Sequence, residues 1–454
     1  MKYGPLFCAA SVLVACTGGE HAIIERAALA HKGESGDAGT AAPPPDDTAS
    51  PPDLGDEAVM ESAGDEAAGP LDNVDILLMV DDSGSMAQEQ VRLTAQLNRL
   101  VGSLIAGNRA YPSAPRGDAD RFVPAKSIHV GVITSNLGSP PGVAQLPSQL
   151  CPADNGASLG GNAALHTSGF TASTPLVDAN TLTLVAPGNP ACADVSLHKG
   201  YLAFGRGAGE VDPENEAATT KAIADFSCLA SVGIGGCGIE QPLEAIWKAL
   251  SPESDNSFVG PDTHGQGTRA NAGFLRPDSI LVVLYLTDED DCSVTAQGTT
   301  MFERNGEPYV GVRCQVLQQS APAVIGREVQ PVSRYAKGLL SLRTGHPERV
   351  IYAAIAGFPE VDADYTDPAA LLDHPQMATA LDPNSNDKEL VSACGSDVGD
   401  GKAYPGRRYA QLAGEIEAGG GSFVLGSICS DTYDAVRDQL VRKVSSLLTD
   451  AAEE

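Results

Sequence analysis

The sequence predicts an α/β fold with a mostly parallel central sheet. Three features carry that expectation. Short, continuous apolar runs recur along the chain, segments with helical periodicity alternate with them, and long Gly/Pro/Asn-rich stretches separate the two kinds. A run that is apolar on both faces reads as a strand buried in the middle of a covered sheet, and alternation with helices is the pattern of a parallel sheet with helices on both sides.

The first ordered element is the run Val74-Asp75-Ile76-Leu77-Leu78-Met79-Val80. The polar loop Asp81-Asp82-Ser83-Gly84-Ser85 follows it directly, and then Leu93, Leu97, Leu100, Val101 and Leu104 recur at three- and four-residue steps, as on one helix face. Ser127–Ile133 is a second strand. A helix-like segment covers 222–232, and a helix spans Pro242–Leu250, with Leu243, Ile246 and Trp247 on one side. Ile280–Leu286 is the strongest buried strand and Val350–Ile355 another. Arg408–Glu417 reads as a helix and Ser422–Leu425 as a strand. The terminal helix carries Val436, Leu440, Val444 and Leu447 on one face. Long insertions are expected near 139–217, 251–278, 290–327 and 358–403. Loops of that length carry function or need fastening.

The 454 residues include 59 acidic and 29 basic side chains, a net charge of −30. That excess argues against a nucleic-acid or anionic-surface binder, which needs a positive footprint. Apolar residues make up 42% of the chain, enough for a sizeable core, and no run of about 18 apolar residues suggests a membrane-spanning helix.

Lys2 and the apolar stretch Leu6–Val14 have the shape of an export signal. Its ending, Leu13-Val14-Ala15-Cys16, resembles the lipobox of bacterial lipoproteins. That resemblance implies residues 1–15 as a signal peptide and a diacylated Cys16 as the mature N-terminus. It also places the protein in the cell envelope, anchored to the outer membrane. Residues 16–72, rich in Ala, Gly, Pro, Asp and Glu, read as a disordered acidic tether. With Cys8 in the leader and Cys16 at the lipobox, eight of the ten cysteines remain, an even number suited to an oxidising compartment. Nearest-neighbour pairing is the expectation, Cys151–Cys192, Cys228–Cys237, Cys292–Cys314 and Cys394–Cys429, although eight cysteines leave other connectivities open.

Asp81-x-Ser83-x-Ser85 at the end of the first strand resembles the metal-ion-dependent adhesion site (MIDAS) of von Willebrand factor type A domains, and Thr287-Asp288 matches that family's second acidic position. The resemblance implies a Rossmann-like three-layer domain over residues 73–454. In it Asp81, Ser83, Ser85 and Asp288 hold a divalent cation, Mg2+ first, with Ca2+ and Mn2+ as alternatives. The implied role is protein binding, in which a partner's acidic side chain completes the metal shell. Hard cations want oxygen ligands, and alternating residues in a tight loop can turn three of them toward one point. The chain is similar in this respect to the decorated lipoproteins of myxobacteria and related Gram-negative bacteria.

Two departures from that pattern stand out. The third loop, where the family offers a threonine, carries Gly235-Gly236-Cys237, leaving a water or Glu240 to complete the shell. The run Asp288-Glu289-Asp290-Asp291 places acids where a glycine is expected. Its carboxylates also suggest a rival, an exported metal-assisted hydrolase using Asp288, Asp290 and Asp291; a structural envelope protein with an empty site is another. Otherwise no enzyme is signalled. Gly156-Ala157-Ser158-Leu159-Gly160 lacks the preceding strand of a nucleophile elbow. Gly233–Gly238 follows a helix rather than a strand, against a dinucleotide loop. Arg116-Gly117-Asp118 is too short to count, and His129 reads as a structural residue.

Overall fold

A computed structural model describes residues 71–137, 201–233, 236, 238, 240–260, 262–302, 309–386, 388–395 and 401–453, with the backbone at 176–177 and 184–186. They lie within the compact unit Asp65–Glu454. The leader, Cys16, the tether up to residue 70, the Gly156–Gly160 motif and Cys151, Cys192 and Cys237 fall outside the described residues.

The mostly parallel sheet expected from the apolar runs is present. Its strands, numbered in chain order, are β1 (Asn73–Val80), β2 (Ser127–Thr134), β3 (Leu202–Phe204), β4 (Ser279–Leu286), β5 (Val350–Ala356) and β6 (Ser422–Ser427). The spatial order is β6-β5-β4-β1-β2-β3. All neighbours run parallel except the edge strand β3, which pairs antiparallel with β2. This doubly wound order reverses direction between β1 and β4, and in such sheets the crevice beyond the carboxyl ends of those two strands is where ligands bind.

Eight helices accompany the sheet among the described residues: α1 (Ala87–Ala106), α2 (Glu216–Ala230), α3 (Pro242–Leu250), α4 (Val310–Ser320), α5 (Val332–Ser341), α6 (Pro368–Leu372), α7 (Arg407–Ala418) and α8 (Asp434–Glu453). Strand alternation divides the core in two. Val74, Ile76, Leu78 and Val80 pack on one face with α1, α2 and α8. Leu77 and Met79 pack on the other with α3, α5 and α7. None of the described helices is long and apolar enough to cross a membrane.

Three segments around the predicted boundaries and insertions gain detail. Just ahead of β1, Leu71 is buried and the Asp72 carbonyl accepts from the Lys126 amide (2.8 Å). The described part of 290–327 has a small core of its own. It contains α4, and Val294, Met301, Phe302, Val310 and Val324 form a satellite core around the Cys292–Cys314 disulfide. The insertion 139–217 contributes β3 to the main sheet.

The second disulfide, Cys394–Cys429, ties the end of the 358–403 insertion to the loop before α8. Cys228 is also disulfide-bonded, its partner lying outside the described residues.

At the amino ends of the strands, Arg276 reaches across to buried Asp75 (Nε to Oδ1, 2.8 Å), and Ser279 Oγ donates to the other oxygen (2.6 Å). His129 sits beside them with Nδ1 2.8 Å from the Phe274 carbonyl, in the structural role its place in a strand suggests.

Candidate functional site

Asp81 directly follows β1, and its amide donates to the Leu286 carbonyl at the end of β4 (2.9 Å). One hydrogen bond thus joins the loops on either side of the switch point. The Asp81 carboxylate is fully buried and fixed from three sides. Thr287 Oγ1 donates to Oδ2 (2.7 Å), while the Ser83 amide (2.8 Å) and Ser135 Oγ (3.4 Å) donate to Oδ1. Ser83 Oγ lies 3.2 Å from Ser85 Oγ, and Ser85 in turn reaches the carboxyl of Asp288. The four residues singled out in the sequence, Asp81, Ser83, Ser85 and Asp288, are therefore brought together.

The loop between α2 and α3 closes the third side. The Gly236 amide donates to the Asp82 carbonyl (2.7 Å). A Cβ on Gly236 would stand 2.8 Å from that same carbonyl oxygen, so the close approach requires glycine. Gln90 of α1 fastens the arrangement, its Nε2 donating to the carbonyls of Asp81 (3.0 Å) and Gly233 (2.8 Å). This loop also carries Glu240 into the site. Its side chain is buried, and neither carboxylate oxygen receives a hydrogen bond from a protein donor; Asp288 Oδ1 is in the same condition.

The electrostatics follow from the burial. Desolvation, followed by the charges of Glu289, Asp81 and Asp288, pushes Glu240 well above the ordinary carboxyl range. Asp288 is also pushed well up, by burial and then by Asp81 and Glu289. Burial raises Asp81, and burial together with Asp81 raises Asp82 to about 7. Glu289 rises to about 8 by burial and then the charge of Asp81. These carboxyls act on one another as like charges that burial has stripped of solvent. A divalent cation would relieve them, and the oxygens left without donors are of the type it takes. Among the described residues no three His, Cys, Asp or Glu side chains gather at metal-ligand spacing. A donor set here must therefore include the hydroxyls of Ser83 and Ser85.

The remaining acids of the run are committed elsewhere. Asp291 forms a buried ion pair with Arg408 (2.9 Å) and accepts from the Leu243 amide at the start of α3 (2.9 Å). Asp290 accepts from the Arg408 amide (3.0 Å). Asp290 and Asp291 thus bond to α7 and to the start of α3.

Sequence reasoning missed Ser135 and Gln90. The polar stretch Thr134-Ser135-Asn136 at the end of β2 was the signal for the first. Gln90, one polar residue on a helix, carries none.

Neither a protein-family profile nor a curated protein sequence matches the chain. Among solved structures it is similar to the human COPII-coat protein Sec24c, at 12% identity and a TM-score of 0.28, over 84% of this chain and 32% of that one. The chain thus spans about a third of that protein, and a likeness this distant carries no argument about function.

Proposed function

We propose that the chain is a von Willebrand factor type A protein of the cell envelope, lipid-anchored through Cys16. In this reading it binds a protein partner through a divalent cation held by Asp81, Ser83, Ser85 and Asp288. The observation that carries the proposal is the set of buried carboxylates beyond the carboxyl ends of β1 and β4, with Asp288 Oδ1 lacking any donor. Burying a carboxylate whose partner is missing costs about 3–5 kcal/mol. A bound cation would supply the missing positive charge and a coordination position for acidic oxygen.

The protein's own part is positioning. Thr287 holds one oxygen of the Asp81 carboxylate, and the Ser83 amide and Ser135 hold the other. Gln90 and Gly236 hold the third loop against the first.

Calorimetric titration of the purified chain with Mg2+, Ca2+ and Mn2+ tests the site. The expected result is saturable binding by wild type that Asp81→Ala abolishes. No binding of any of the three ions by folded wild type would overturn the reading and favour a structural envelope protein. Where binding is found, a cation-dependent pull-down from envelope extracts, repeated with Asp81→Ala, tests the partner.

A further inference from the structure

We propose that the Cys394–Cys429 disulfide positions Asp288, so that the insertion 358–403 sets the geometry of the cation site and with it the ion preference. This rests on the cation-binding reading above.

The two carboxylates assigned to the cation are held in different ways. The Asp81 carboxylate accepts from Thr287, from the Ser83 amide and from Ser135. Asp288 Oδ1 has no donor, so the place of this side chain depends largely on its main chain. That main chain is bonded to the end of the insertion. The Asp288 carbonyl accepts from the Tyr404 amide (2.8 Å).

From Tyr404 the connection runs back to the disulfide. Lys402–Ala403 pairs antiparallel with Cys394–Gly395, placing Ala403 opposite Cys394, and the Ala393 amide donates to the Ala403 carbonyl (2.8 Å). Cys394 is buried and bridged to Cys429, on the loop after β6. Its Sγ lies 3.3 Å from Ser427 Oγ, the hydroxyl that donates to the Phe358 carbonyl (2.7 Å). Between these ends the stretch packs on the loop after β5, where a Cβ on Gly357 would stand 1.8 Å from the Tyr404 carbonyl oxygen. Cys429, Gly357 and Asp288 follow β6, β5 and β4, three neighbouring strands. The stretch therefore crosses the carboxyl edge of the sheet in order, fixed covalently at the far end and hydrogen-bonded to a cation ligand at the near one. It also meets α1, since a Cβ on Gly401 would stand 2.9 Å from Oε1 of Glu89, in the first turn after the Asp81–Ser85 loop.

Holding Asp288 from its main chain matters more for one ion than for another. Mg2+ demands near-ideal octahedral geometry at about 2.0–2.1 Å, whereas Ca2+ accepts six to eight oxygens over about 2.3–2.6 Å. Loosening Asp288 is therefore a larger loss for Mg2+ than for Ca2+.

The test compares the full chain with the Cys394→Ser/Cys429→Ser pair, which removes the bridge without leaving a free thiol at either position. Each protein is titrated separately with Mg2+ and Ca2+ by calorimetry, and exchange of the Tyr404 amide hydrogen is followed in EDTA. The pair is expected to bind Mg2+ about tenfold more weakly, the usual loss when an outer partner of a metal ligand is removed. Ca2+ affinity should fall less, and the Tyr404 amide should exchange faster. A bridge that serves only stability would lower the melting temperature while the ratio of the two affinities stays the same. That unchanged ratio would overturn the proposal and leave the cation site standing. Unchanged exchange at Tyr404 would also overturn it, because the bond to Asp288 would then be independent of the bridge. No binding of either ion by wild type overturns the underlying reading instead. Cys394→Ala with Cys429→Ala is the second pair, free of added hydroxyls, and is read in the same way. If neither pair folds, the bridge serves the fold as a whole and the proposal fails.

Discussion

Thr287 illustrates how much depends on a single hydroxyl at the residue scale. Its Oγ1 lies 2.7 Å from Asp81 Oδ2, and both residues are fully buried. A hydrogen bond to a charged group is worth about 1.5–3 kcal/mol. Thr287→Val keeps the shape and removes the donor, so denaturant unfolding in EDTA should show a loss of about that size, with weaker Mn2+ binding alongside. The charged residues also predict a pH dependence. Asp82 and Glu289 are raised to about 7 and about 8, so between their ordinary values near 4 and these the folded state binds more protons than the unfolded one. Stability of the cation-free protein therefore falls as pH rises from 5 to 8. Thermal melts in EDTA should give a higher melting temperature at pH 5 than at pH 8, and saturating Ca2+ should flatten the difference. A melting temperature that rises with pH in EDTA would show that these carboxyls are not held in a repelling group.

At the scale of elements, legibility tracks burial. β1 and β4 are buried on both faces, so their sequences are continuous apolar runs that stand out. The loop after β1 is legible for a different reason, since three oxygen-bearing side chains alternate within five residues. Sequence reasoning missed α5 although Val332, Tyr335, Ala336 and Leu339 mark a buried face; it carries Gly338, where the helix meets Trp247 and a Cβ would stand 2.8 Å from the indole. α4 gives Val310 and Cys314 to the satellite core and mixes them with buried polar residues, so no long apolar stripe marks it, and β3 is three residues long. The place of Glu240 depends on backbone bonds, its own and that of Gln241, to the segments after β4 and β2, which no local pattern records. α7 carries the test for this scale. Arg408 ends on buried Asp291 (2.9 Å) and on the Gln330 carbonyl (2.7 Å), binding α7 to the segment that follows β4. Removing one partner of a buried pair typically costs about 3–5 kcal/mol. Arg408→Ala should lose about that much in urea unfolding, and the loss should shrink when Asp291→Ala is added, because the stranded charge is then gone. Strict additivity of the two substitutions would deny the coupling.

For the whole molecule, the question is how a chain of net charge −30 gathers further negative charge in its interior. Two effects of added cations must be separated. Any salt screens the general repulsion of surface carboxylates, without saturation at low concentration and with little dependence on which ion is used. A specific site responds differently, stabilising the fold by RT ln(1 + [L]/Kd), or about 2.7 kcal/mol at a hundred times Kd. The fold places that site between β1 and β4, strands at the centre of the sheet and joined by eight paired positions. Binding there should therefore be read out as global stability rather than local order. Melting temperature is expected to rise with Ca2+ or Mg2+ along a saturating curve at constant ionic strength, with KCl as the balancing salt. Asp81→Ala should retain only the part that KCl reproduces. A rise that KCl matches in wild type would assign the whole response to surface charge and leave the buried carboxylates to be neutralised by protons.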